Sequence, residues 1–133
     1  MSPSATDDVV ALQRLHAAYA DVVTRRAWPE LANLFRPGCV LALDLVTAPA
    51  RTFTGAAAIG EFIEASIERF DHFEFTLLNS VFEVDGARAA GRMYLAEIRH
   101  ERDTRAWSTA YGKSAVGSLG PPPAAGMTKI FRL

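Results

Sequence analysis

Three side chains in this sequence have the types and settings for acid/base chemistry: the phenol of Tyr19, the carboxylate of Asp44 and the imidazole of His100. Asp44 is the only charge in the apolar run CVLALDL from Cys39 to Leu45. Burial there would raise its pKa and suit it to taking a proton α to a carbonyl, whereas at a solvated strand end it would be an ordinary or salt-bridged carboxylate. His16 and Tyr19 share a helical stripe with Val9, Leu12 and Val23, which turns both toward a core or a pocket. With His100 they form a candidate acid/base cluster; the competing reading makes His16 a satisfied core histidine and Tyr19 a packing anchor. No pair of residues has metal-ligand spacing, so no metal is expected. Cys39 reads as a small apolar strand residue, because no helix N-terminus or neighbouring base would lower its thiol pKa.

The stretch that must position these groups is Phe73 to His100, which reads as two long strands joined at Asp85-Gly86. A two-residue turn at that dipeptide would set Asn79 opposite Arg92, Leu77 opposite Tyr94, Phe75 opposite Ala96 and Phe73 opposite Ile98. One face would then present Phe73, Phe75, Leu77, Asn79, Arg92, Tyr94 and His100, an apolar floor with polar tips. The other would carry His72, Glu74 and Glu97 among Leu78, Phe82, Met93 and Leu95. A one-residue slip exchanges the faces. Asn79 and Arg92 would form a hydrogen-bonded pair that either orients a ligand carbonyl or satisfies itself.

Around the hairpin, the pattern predicts a helix from Asp7 and a short second helix with Pro29 in its first turn, carrying Leu31, Leu34 and Phe35. Strands follow over Cys39 to Leu45 and Arg51 to Thr54. A third helix opens at Thr54 or Gly55, its inward stripe made by Ile59, Phe62, Ile63, Ile67 and Phe70. Trp107 to Val116 reads as a further strand, Gly117 to Gly126 (GSLGPPPAAG) as a loop, and Met127 to Leu133 as a last strand. The expected division is a main domain over 1–116 and an atypical tail over 117–133.

With 133 residues, half of them hydrophobic, and a net charge of −1, the chain suits one domain with a single core. No basic stripe suggests nucleic acid. No run approaches the roughly 18 apolar residues of a membrane span, and the N-terminus lacks a signal pattern. A single cysteine excludes an intrachain disulfide framework, and a cytoplasmic location is expected.

The order helix, helix, strand, strand, helix, long hairpin is an α+β pattern. The segments RLHAAYADVV, RRAWPELANLF, FTGAAAIGEFI and DHFEFTLLNSVFEVDG followed by AAGRMYLAE resemble the SnoaL-like branch of the nuclear transport factor 2-like superfamily, over roughly residues 7 to 111. The resemblance implies a cone-shaped α+β barrel, three helices on a curved antiparallel sheet, enclosing an apolar pocket for flat hydrophobic molecules. It also implies homodimers formed through the outer sheet face, to which Leu78, Phe82, Met93 and Leu95 would contribute. The superfamily includes polyketide cyclases, scytalone dehydratase, ketosteroid isomerase and members without catalysis, so the activity it implies is broad. Tyr19 falls where ketosteroid isomerase has its oxyanion-hole tyrosine, while that isomerase's base falls on Leu43, one residue before Asp44. His100 lies near one catalytic histidine of scytalone dehydratase; Phe75 stands at the other histidine and Thr24 at that family's aspartate. From Lys113 onward the chain departs from its relatives. The expectation is a cofactor-independent lyase, cyclase or isomerase acting on a hydrophobic carbonyl compound, with Tyr19 as donor, Asp44 as base and His100 as proton shuttle. His16, Phe75, Leu77, Asn79, Arg92 and Tyr94 would contact the ligand. The alternative is a non-catalytic binding or assembly domain of the same fold.

Overall fold

Helix α1 (Ala5–Arg25) begins two residues before the expected Asp7, with Asp7 and Asp8 in its first turn, where carboxylates complement the helix dipole. Its stripe of Leu12, His16, Tyr19 and Val23, widened by Ala20 and Val22, is buried. The helix stops in a Schellman arrangement: Ala27 N–H donates to the Val22 carbonyl and Arg26 N–H to that of Val23. Arg26 takes the left-handed conformation this requires, at φ 58°. Its guanidinium then spans to the Phe70 carbonyl at 2.6 Å and the Ile67 carbonyl at 3.4 Å, fastening the end of α1 to the chain that enters the hairpin. The molecule is represented by a computed structural model, which describes residues 5–44, 49, 51–85, 88–119 and 128–132.

A 3-10 helix (Trp28–Asn33) replaces the short second α-helix, with Pro29 in its opening turn and Leu31 and Phe35 buried beneath α1. Strands β1 (Val40–Asp44) and β2 (Arg51–Thr54) pair antiparallel. Helix α2 (Ala56–Ile67) starts at Gly55, whose φ of +87° favours glycine, and its N–H donates to the Cys39 carbonyl. Phe70 was expected on this helix. It instead opens β3 (Phe70–Asp85), which pairs antiparallel with β4 (Arg88–Glu101), followed by β5 (Trp107–Leu119) and β6 (Thr128–Arg132).

The six strands form one curved sheet in the order β2-β1-β6-β5-β4-β3. All neighbours are antiparallel except β1 and β6, which run parallel. The expected barrel does not close: β2 and β3 are the two edges, so the architecture is an open cone with α1 packed along β3. Residues 117–119, expected in a loop, extend β5, and β6 lies between β1 and β5 in the same sheet. The rest of the Gly/Pro-rich segment, 120–127, lies outside the described residues.

The hairpin register differs from the expected one in two ways. Asp85 pairs with Arg88, so the two intervening residues are 86 and 87, and Asn79 lies opposite Tyr94, not Arg92. Then the register shifts between Leu77 and Asn79, so that Leu77 pairs with Leu95, Phe75 with Glu97 and Phe73 with Arg99. An extra residue in one strand reverses its alternation. Phe73, Phe75 and Leu77 point inward on one side of the bulge, and Ser80, Phe82 and Val84 take the inward positions on the other. On β4 alternation is unbroken and Met93 and Leu95 are buried in the core, so Gly91, Glu97 and Arg99 share their face. The expected assignment of Met93, Leu95 and Phe82 to the outer face is therefore corrected, as is that of Asn79, Arg92, Tyr94 and His100 to the inner one. Among the described residues no helix is long and apolar enough to cross a membrane.

Candidate functional site

Tyr19 sits at the centre of the enclosed face. Its side chain is 1% exposed, and its ring meets Phe35 and Phe75 edge-on, with centroids at 5.9 and 5.5 Å. One turn earlier on α1, the fully buried His16 stands 4.9 Å from the Phe82 ring, across the bulge from Phe75. Gly91 makes that contact feasible. It is the cross-strand partner of Phe82, and a Cβ at position 91 would lie 2.7 Å from the ring. Thr24, where the dehydratase family has an aspartate, accepts a hydrogen bond at 3.0 Å from the Phe75 N–H and so occupies the open edge of β3.

The inner face brings Glu97, which the expected register turns outward, beside the Tyr19 neighbourhood. Glu97 pairs with Phe75, the residue whose ring touches Tyr19. Burial pushes the Glu97 carboxyl above the usual carboxylate range, opposed by the charge of Arg99. Burial likewise pushes the Tyr19 phenol well above its ordinary value, with the Glu97 charge adding to the effect, so Tyr19 keeps its proton and can donate it in a hydrogen bond. Arg99 is directed to Ser108 Oγ at 3.2 Å and over the Phe70 ring. The sequence does carry a signal for this arrangement: large apolar residues occupy odd positions at Phe73, Phe75 and Leu77, then even positions at Phe82 and Val84.

His100 belongs to a different constellation on the opposite face. Its Nδ1 lies 2.5 Å from Asp71 Oδ1, and the other Asp71 oxygen accepts from Arg105 at 3.0 Å. The His100 hydrogen bond is the main reason the Asp71 carboxyl is held below its ordinary range, with Arg105 contributing. Trp107, the cross-strand partner of His100, packs on it at 4.7 Å and on His72 at 5.4 Å. His72 thus faces away from Tyr19, as expected from its parity. Asn79, Arg92 and Tyr94 are exposed on this outer face, while Phe75 is buried and Leu77 packs against the core on the inner face. Asp44 ends β1 opposite Arg132, and its side chain lies outside the described residues. The structure therefore brings together His16, Tyr19, Phe75 and Leu77, joined by Phe82 and Glu97, and separates His100 from them. Among the described residues no group of three histidine, cysteine, aspartate or glutamate side chains could hold a metal ion.

Solved structures with this fold include a protein from Novosphingobium aromaticivorans provisionally described as an aromatic ring hydroxylase (TM-score 0.81, 20% identity, covering 98% of this chain and 92% of that one). A second protein from the same organism, provisionally described as a scytalone dehydratase, has a TM-score of 0.80 and 19% identity over 96% of this chain and 84% of its own. A nuclear transport factor 2-like superfamily protein from Salmonella enterica gives 0.76 and 15%, covering 96% and 91%. At these identities the likeness concerns fold alone. No curated protein matches the chain. The family model described as a SnoaL-like domain matches residues 4–115, from the start of α1 into β5, and the chain belongs to that SnoaL-like family.

Proposed function

We propose that this protein is a small-molecule enzyme that performs acid/base chemistry, without a cofactor, on a hydrophobic carbonyl compound held between α1 and the inner face of the sheet, as a lyase, cyclase or isomerase. The observation that carries this reading is Tyr19, a phenol almost wholly removed from water and ringed by Phe35 and Phe75. A fixed donor in a low-dielectric setting stabilises charge that develops on a substrate oxygen, and deleting such a donor typically costs about 10²–10³ in rate. His16, Phe75 and Leu77 would border the ligand. Asp44 is a candidate base by its place at the end of β1. In this reading His100, the expected proton shuttle, stands outside the enclosed face. The exposed aromatics Trp107 and Tyr111 on the outer face support a homodimer formed there.

The test uses two probes of the proposed substrate class. The fluorescent phenol 2-naphthol should bind, and the flat ketone 2-tetralone should exchange its α-hydrogens with D2O faster than in buffer when followed by proton NMR. Tyr19→Phe should lower that rate at least tenfold without unfolding the protein. Absence of acceleration by the unmodified protein, or an unchanged rate in Tyr19→Phe, overturns the reading. Binding without acceleration leaves the binding domain as the function.

A further inference from the structure

We propose that Glu97, in place of Asp44 at the end of β1, is the catalytic base of this site, taking the α-proton of a ketone whose oxygen is held by Tyr19. This rests on the acid/base reading above and assigns the proton-transfer role to a residue on the hairpin. The first support is position. Glu97 is directly opposite Phe75 in the β3–β4 register, side chains of such pairs stand side by side on one face, and the Tyr19 ring contacts that same Phe75 at 5.5 Å. Donor and carboxylate thus share a neighbour. The second is setting: alternation puts Glu97 and Glu101 on the inner face of β4, and of the two Glu97 lies two residues beyond the fully buried Leu95, whereas Glu101 ends the strand and is paired with Arg69 at 3.5 Å. The third is that the cation two residues on, Arg99, spends its hydrogen bond on Ser108 Oγ and lies over the Phe70 ring. Burial raises the basicity of Glu97, opposed by the charge of Arg99.

The step balances without an external reagent. A Glu97 carboxylate oxygen forms an O–H bond with the α-hydrogen, the C–H electron pair becomes the carbon–carbon double bond of the enolate, and the carbonyl oxygen takes the negative charge. Tyr19 O–H donates a hydrogen bond to that oxygen. Reprotonation from Glu97 at the same or a conjugated carbon restores the carboxylate. In D2O the transferred proton exchanges, so deuterium enters the substrate.

The deciding experiment measures 2-tetralone exchange across pH for the unmodified protein, Glu97→Gln and Glu97→Asp, with thermal melts and 2-naphthol binding recorded for each. The expected result is a rate that rises with pH as Glu97 ionises, a loss of at least 100-fold in Glu97→Gln with 2-naphthol binding retained, and partial activity with a displaced pH inflection in Glu97→Asp. Acceleration that survives in Glu97→Gln with the same pH profile overturns the assignment and leaves the Tyr19 reading standing. A protein that never accelerates exchange overturns both. If Glu97→Gln does not fold, an inflection that fails to move in Glu97→Asp overturns the assignment.

Discussion

Replacing Gly91 by alanine tests whether Phe82 is wedged between β4 and His16. A Cβ at this position would stand 2.7 Å from Phe82 Cδ1 and 2.9 Å from Cε1. Carbon atoms in contact prefer about 3.5–4.0 Å, so the ring must retreat by roughly 0.7–1 Å. It has little room to do so, since its other side meets the fully buried His16 at 4.9 Å. Overpacking of this kind costs about 1–3 kcal/mol. Alanine recovers about 0.5–1 kcal/mol relative to glycine in backbone entropy, which leaves a net loss of about 0–2.5 kcal/mol. Urea denaturation of the unmodified protein, Gly91→Ala, Phe82→Ala and the double variant isolates the coupling. In the Phe82→Ala background Gly91→Ala should turn neutral or stabilising, and the His16 ring protons should shift in Gly91→Ala alone. Equal destabilisation in both backgrounds, or stabilisation in the unmodified one, would refute the packing argument.

Two other expectations concern the helix end and the acid limb of stability. Arg26 holds a left-handed conformation and two carbonyls at once. Arg26→Gly relieves the backbone but loses charge-assisted bonds and should destabilise by about 0.5–2 kcal/mol. Arg26→Ala should be worse by about 1 kcal/mol, and equal values in urea titrations would contradict the account of the helix terminus. For pH, the depressed Asp71 carboxyl contributes stability that is present above its unfolded value of about 3.9 and lost as pH falls through its lower folded value. Asp71→Asn should flatten stability in that acid range, and an acid limb as steep as before would show the His100 pair to be energetically idle. Glu97 has the opposite sign, because its folded value is raised: stability falls as pH rises from about 4.3 toward that folded value.

Element order was legible in the sequence because each element carries its own local signal. Pro29 marks a helix start, Gly55 a helix entry and the Leu12–His16–Tyr19–Val23 stripe a buried helix face. Phe70 was misread because it continues the stripe of α2, yet the chain turns after Ile67 once Arg26 has bonded to the carbonyls on either side. The candidate site was legible on α1 and misread on β4. A helix fixes side-chain direction from sequence spacing, whereas a hairpin inherits it from its register, and one bulge after Leu77 reverses the outcome for every residue beyond it. Glu97 was thus placed outside and His100 inside.

The burial of His100 has an explanation in the architecture at its end of the sheet. Arg105 takes a φ of 62° in the turn between β4 and β5, and its N–H returns to the Glu101 carbonyl. Glu101 N–H donates to the Ala106 carbonyl, and Arg102 N–H reaches the Arg69 carbonyl at the start of β3. Asp71 binds His100 from β4 and Arg105 from this turn, so one carboxylate joins three successive segments. Trp107 covers the pair. A histidine held by a carboxylate in this way resembles a general base oriented by an acid, but its neighbours on that face are strands and a turn that need fastening. Alternation along β4 puts Glu97 and His100 on opposite faces three residues apart. Glu97 thus shares the face of Phe75 and Tyr19, and His100 shares that of Asp71 and Trp107.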